Sequence, residues 1–223
     1  MPDNIPFNTI PVDIRTPGQY IEVDNSKAIR GLPSMNRRML FIGNKLAAGT
    51  AVAATLHRIN SPSEAATLFG KGSVLYEMLV AARNANKESD ISAMALADDA
   101  GGTAHTKTVT FTGPATEPGT LAPYINGHKL SVGVSLNDTA TTIATAAAAA
   151  FNAWTEGPMT ATSALGVVTL TARHKGAFGN DIDVRFNYFP DEKTPAGVTV
   201  AVADVTPGAG NPDVATALAA ISE

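Results

Sequence analysis

The chain has no cysteine among its 223 residues. That excludes disulfides, thiolate metal sites and thiol catalysis, and it fits synthesis in a cytoplasm. Charge is scarce too. Asp, Glu, Lys and Arg make up 16% of the chain, well under the usual quarter, and a surface so poor in charge is often covered by other protein. There is no basic excess. The formal net charge is −4, which argues against a nucleic-acid partner. No run approaches the ~18 consecutive apolar residues of a membrane span, and Pro2-Asp3-Asn4 does not open a secretory signal. The four histidines, at 57, 105, 128 and 174, do not fall at metal-ligand spacings. The segment from Gly43 to Thr50 follows a strand pattern but lacks the lysine that a phosphate loop carries directly after its second glycine. Gly-x-Ser-x-Gly is absent. The sequence supports no catalytic, cofactor-binding or metal-binding residue.

What is present begins at the N-terminus. Pro2, Pro6, Pro11 and Pro17 exclude a helix there and push their predecessors toward extended backbone. Yet Ile5, Phe7, Ile10, Val12, Ile14 and Tyr20 are apolar, and Ile10, Val12 and Ile14 alternate with Pro11 and Asp13 as in a strand. Proline confines such a strand to a sheet edge. Residues 1–22 read as an extended arm that pairs with its own sheet or adds a strand to a neighbour. The six apolar residues are its candidate contacts. Charge is uneven along the chain: residues 1–45 hold six Lys/Arg against four acids, and the remainder ten against sixteen. Opposite polarity at the two ends suits head-to-tail association.

Residues 23–100 read as an α/β unit. A strand at 38–43 precedes a helix capped by Ser61, with Pro62 at its first position and Glu64 three residues after the cap. That helix ends at Gly70. A second starts at Ser73 with Leu75, Met78, Leu79 and Ala82 on one face, and a strand follows at 91–96. Asp98 to Gly102 marks a boundary. Residues 103–205 read as a mostly β domain with one helix, α+β in class. Its strands fall at 106–112, 121–126, 128–134, 159–164, 167–173, 181–188 and 197–204, with a type I′ turn at Asn126-Gly127. Its helix runs from Asp138 to Trp154 and turns Ile143, Ala147, Ala150, Phe151 and Trp154 inward. Residues 206–223 are a linker and the start of a helix capped at Asn211-Pro212, with Val214, Leu218 and Ile221 as its apolar face.

Each polar cluster has an ordinary explanation. Asp181 and Asp183 share a strand face and could hold a hard cation, but Lys175 and Arg185 stand beside them as ion-pair partners. His105, His128 and His174 flank strands, where a solvated histidine is the usual case. Gly70 to Ser73 joins two helices and is read as a turn. Arg30, Arg37 and Arg38 are read as ion-pairing side chains.

Several segments taken in order resemble the contractile-tail sheath protein of Mu-like bacteriophages and prophages. Ile5 through Pro11 and Thr16 through Glu22 are similar to that family's entry sequence, as are Arg38 to Gly43 and Gly49-Thr50-Ala51. Phe69 to Ser73 resembles a Phe-Gly-x-Gly-Ser element. His174 to Ile182 resembles a Gly-x-x-Gly-Asn-x-Ile signature, and Gly210 to Asp213 also fits. The resemblance implies the N-terminal portion of a structural, non-enzymatic subunit, with residues 38–96 as part of an incomplete sheath core. It also implies stacked hexameric rings of identical copies around a tail tube protein, arms adding strands to neighbours, and rearrangement on contraction. The subunit would assemble in the host cytoplasm and reside in the virion tail, without a membrane or nucleic-acid partner. Family members are longer, so the chain is expected to stop short of a complete subunit. Two other classes remain open at this stage: a free-standing β-rich module that binds a surface ligand such as glycan, and a nucleotide-binding enzyme on residues 38–96, which the failed phosphate loop disfavours.

Overall fold

The structure, a computed structural model, describes residues 10, 13, 15–23 and 38–221. The chain divides into two compact units, Met1–Asn36 and Arg37–Glu223. The second begins with β1 (Arg38–Asn44), β2 (Leu56–Arg58), α1 (Pro62–Phe69), α2 (Val74–Ala85) and β3 (Asp90–Leu96). β3 is the centre of a three-stranded sheet, parallel to β1 and antiparallel to β2. The parallel pair needs a crossover, which α1 and α2 supply. Both helices start where the sequence places them. Ser61 Oγ accepts from the Glu64 amide and Ser73 Oγ from the Tyr76 amide, each relieving an orphan donor of the first turn. Apolar residues of α1, α2, β1 and β3 close around Phe69, Leu75, Leu79 and Ile91. One expectation for α2 needs correction. Met78 is exposed, whereas Tyr76, on a different face of the helix, is buried and donates its hydroxyl to Glu156 far along the chain.

Next come β4 (Ala104–Phe111), β5 (Gly119–Leu121), β6 (Pro123–Ile125), β7 (His128–Lys129), β8 (Val132–Val134), α3 (Ala140–Ala153), β9 (Met159–Ala164) and β10 (Val167–Lys175). A 3-10 turn at Ala177–Asp181, β11 (Val184–Phe186), β12 (Val200–Thr206) and α4 (Val214–Ala219) complete the order. The main sheet runs β12-β4-β10-β9, antiparallel throughout. In β4 the threonines at 106, 108 and 110 face away from the core that holds Val109 and Phe111, as the alternation predicts. α3 lies on this sheet with Ile143, Ala147 and Phe151 buried and Ala150 and Trp154 partly so. The described fold is thus mixed α/β, with most of its elements in sheets.

Several boundaries differ from expectation. The N-cap of α3 is Thr139, whose Oγ1 accepts from the Thr142 amide. Asp138 instead accepts from the Ser135 amide and closes the preceding turn. The hairpin at Asn126-Gly127 forms with positive φ at both residues, 47° and 82°. Its flanking strands, however, are each split in two. β5 pairs with β8, while β6 pairs with β7 and β11. The expected strand at 181–188 shrinks to β11. A 3-10 turn over Ala177–Asp181, with Gly176 at its N-cap, precedes it, Asn187 with φ 52° follows it, and Tyr188 is exposed rather than inward. The cap of α4 is Asp213, which accepts from the Ala215 amide. Val214, Leu218 and Ile221 are exposed, and Ala217 is the residue that packs, against Met94 and Leu96.

Candidate functional site

The densest polar arrangement lies where β3 and β10 end. Asp98 receives three hydrogen bonds there: from Asn44 Nδ2 at 2.6 Å, from His174 Nδ1 at 3.0 Å and from the Lys175 amide at 3.0 Å. His174 Nε2 in turn accepts from the Val74 amide at 3.4 Å. With Nε2 accepting, the ring proton sits on Nδ1 and points at Asp98. Val74 opens α2, so the histidine serves one of the helix's orphan donors. Burial pushes the Asp98 carboxyl up, but the hydrogen bonds from His174, Asn44 and Lys175 outweigh it and hold the group below the ordinary carboxylate value.

A cavity of about 440 Å3 opens beside this network. Val74 and Met78 line it from α2, Trp154 and Glu156 from the end of α3, and Phe178 and Ile182 from the signature loop. Trp154 stacks on His128 with ring centroids 4.0 Å apart. Glu156 is held by the Tyr76 hydroxyl at 3.0 Å. Burial and the nearby charge of Glu156 raise the Glu77 carboxyl above its usual value. Gly72, with φ 79°, is required between α1 and α2 on two counts. Its backbone is left-handed, and a Cβ would stand 3.1 Å from the Gly157 carbonyl oxygen.

His105 and His174 are buried, not solvated as expected. Each falls in phase with inward-facing neighbours on its strand: His105 with Val109 and Phe111 on β4, His174 with Val168 and Leu170 on β10. Extending the two-residue period to the strand ends finds both. Asp204 of β12 meets His105 Nε2 at 3.1 Å and Lys107 Nζ at 2.5 Å. His128 is exposed.

The signature His174 to Ile182 is structural in its contacts. Asn180 pairs with Gly208 in both directions, donating to its carbonyl and accepting from its amide. Gly176 donates to the Thr103 carbonyl. Asp181 lies at the end of the 3-10 turn, not on a strand face with Asp183. Asp183 pairs with Arg185 at 2.7 Å as expected, whereas Lys175 Nζ turns to the Ala100 carbonyl. Arg38 pairs with Asp90 at 3.5 Å. Arg30 and Arg37 lie outside the described residues.

The loop from Gly43 to Thr50 docks on the C-terminal end of α1: the amides of Thr50 and Ala51 donate to the carbonyls of Thr67 and Leu68. A helix C-terminus is the negative pole and repels phosphate. Among the described residues no group of three or more His, Asp or Glu is placed to hold a metal ion. Calorimetric titration of the chain with calcium, magnesium and ATP is therefore expected to be flat, and a saturable isotherm for any of the three would refute that expectation.

Of the arm contacts, Ile5, Phe7, Val12 and Ile14 lie outside the described residues. Ile10 is partly buried. Tyr20 is exposed, and its hydroxyl donates to the Thr16 carbonyl at 2.9 Å. Ile21 and Val23, which the candidate contacts omit, are 82% and 83% exposed. No helix among the described residues is long and apolar enough to cross a membrane.

The chain is 38% identical over 215 residues to the Mu-like prophage FluMu tail sheath protein of Haemophilus influenzae (strain ATCC 51907 / DSM 11121 / KW20 / Rd). That alignment takes in 96% of this chain and 44% of the relative, so the chain spans less than half the relative's length. A solved chain described as Mycobacterium phage Patience is 19% identical, with 46% of this chain and 38% of that one covered at a TM-score of 0.26. At that distance it carries no argument. Residues 19–221 match the DUF2586 N-terminal domain, and the chain belongs to that family.

Proposed function

We propose that this chain is the N-terminal portion of a phage tail sheath subunit, a structural protein without catalytic activity. The observation that carries the reading is the 38% identity to a tail sheath protein along nearly the whole chain. The subunit polymerises with other copies in hexameric rings around a tail tube protein and rearranges when the tail contracts. It assembles in the bacterial cytoplasm and ends in the virion tail, with no nucleic-acid or membrane partner. Residues 23–100 form a unit of the sheath core, 103–205 a β-rich middle domain and 206–223 a linker and the start of a helix.

The arm, residues 1–22, adds a strand to a neighbouring copy through Ile5, Phe7, Ile10, Val12, Ile14 and Tyr20. Open edges support this: among the described residues β1 is paired only with β3 and β12 only with β4. Beside β1 a groove lined by Met39, Phe41, Met78 and Ala82 is available for the side chains of an added strand. Deleting residues 1–20 is expected to abolish tubes of the full-length protein in electron micrographs while leaving the melting temperature of this chain nearly unchanged. Intact tubes would sink the inter-subunit role; an unfolded chain would assign the arm to its own core.

A second reading, a module that binds a surface glycan, draws on one feature. Tyr188 and Phe189 are exposed, edge to face at 5.2 Å, beside the Asp183–Arg185 pair. Aromatic faces next to planar polar groups suit sugar rings, and saturable binding on a glycan array would favour this reading.

A further inference from the structure

The cavity beside α2 has a composition that neither the packing nor the network at Asp98 requires. Its wall is mostly apolar, and its size falls within the ordinary range of ligand pockets. Two carboxylates, Glu77 and Glu156, stand at it. Among the described residues neither is in an ion pair with lysine or arginine, and the hydroxyl of Tyr76 is the hydrogen-bond partner that Glu156 has. Partial desolvation and, to a lesser degree, the like charge of Glu156 raise the Glu77 carboxyl, and a cation at the two carboxylates that line this cavity would offset both. Such a site selects a cationic head on an apolar stem.

The chain itself contains a segment of that chemistry. Residues 27–37, which lie outside the described residues, carry Lys27, Arg30 and Arg37 with no acid, interleaved with Ile29, Leu32 and Met35. The rest of the chain beyond residue 45 has ten basic residues against sixteen acidic ones, so the complementarity extends past the two glutamates. We infer that the cavity lined by Val74, Met78, Trp154 and Ile182 is a docking site for the basic segment 27–37 of a second copy, with Glu77 and Glu156 receiving an arginine or lysine. This rests on the reading of the chain as a self-assembling subunit, and it assigns a contact distinct from strand addition by residues 1–22.

Trp154 is the only tryptophan in the chain, so its fluorescence reports this cavity directly. A synthetic peptide of residues 27–37 is titrated into the whole chain carrying Lys27→Gln, Arg30→Gln and Arg37→Gln, so that the host's own segment does not compete. The expected result is a saturable change in Trp154 emission that weakens with added salt. Adding Glu77→Gln and Glu156→Gln to the host weakens binding about ten-fold or more. The same loss is expected for a peptide with its three cations replaced by glutamine, which leaves the host untouched and keeps the test valid if the double variant misfolds. A flat titration, or equal affinity for the neutral peptide, overturns the inference. If binding fails while the full-length protein still forms tubes, the cavity assignment falls and the sheath reading stands. If tubes fail as well, the sheath reading falls with it.

Discussion

Phe151→Ala is expected to destabilise the chain by about 3–5 kcal/mol. Phe151 is 2% exposed on the face of α3 that rests on the main sheet, and its core includes Val109, Met159, Val168 and Leu170. These neighbours come from three different strands, β4, β9 and β10. They are held by the antiparallel ladder and cannot collapse far into the space that the ring would leave, which places the cost in the upper part of the range for large-to-small changes. For a chain of this size the loss corresponds to a fall of roughly 6–20 °C in Tm. Leu165→Ala is the matched control. Leu165 is 91% exposed at the turn between β9 and β10, and its loss should stay within about 0.5 kcal/mol. Urea denaturation of both variants decides the matter. A Phe151→Ala loss below about 1 kcal/mol would mean that the helix is not seated on the sheet as described.

The elements that were legible in the sequence are those whose causes are local. Ser61 and Ser73 cap helices because a side-chain oxygen reaches an amide three residues on, and that geometry is written in the spacing. Asn126-Gly127 makes its turn because both residues tolerate positive φ. The alternation in β4 and β10 is a property of the strand alone. What escaped was decided at long range. β2 is three residues long and exists because Leu56, His57 and Arg58 find Met94, Ala93 and Ser92. The split of 121–126 into β5 and β6 follows from two different partners, β8 and β11, the second some sixty residues away. Tyr76 is buried although it lies off the expected face, and its hydroxyl meets Glu156 far along the chain. Likewise, Asp98 was legible as part of a boundary but not as the acceptor that joins β3, β10 and α2, since Asn44, His174 and Lys175 approach it from separate parts of the chain. The arm rests on proline spacing and apolar alternation, and Ile5, Phe7, Val12 and Ile14 lie outside the described residues.

Asp98→Ala is expected to cost about 1–3 kcal/mol at neutral pH, the range for leaving hydrogen-bond donors without their acceptor in a part-buried network. The substitution leaves Asn44 Nδ2, His174 Nδ1–H and the Lys175 amide without their acceptor. It also frees the His174 ring, whose other nitrogen accepts from the first amide of α2. The network spans the boundary after residue 100, tying β3 and α2 to the end of β10. Its loss should therefore separate unfolding of residues 38–96 from that of 103–205, and calorimetry should resolve two transitions in place of one. The pH dependence has a definite sign. Burial alone would raise the Asp98 carboxyl, but the hydrogen bonds from His174, Asn44 and Lys175 win, and the folded value lies below the ordinary 3.8. A carboxyl depressed on folding contributes stability that is fully present above its unfolded value and is lost as pH falls through the folded one. The gap between the native chain and Asp98→Asn should accordingly close progressively as pH falls below about 4. Asp99→Ala, which removes only a turn bond to the Gly101 amide, serves as the control and should show no such convergence. A gap for Asp98→Asn that persists unchanged into acid would mean that the charge of Asp98 contributes nothing and that the residue acts through shape alone.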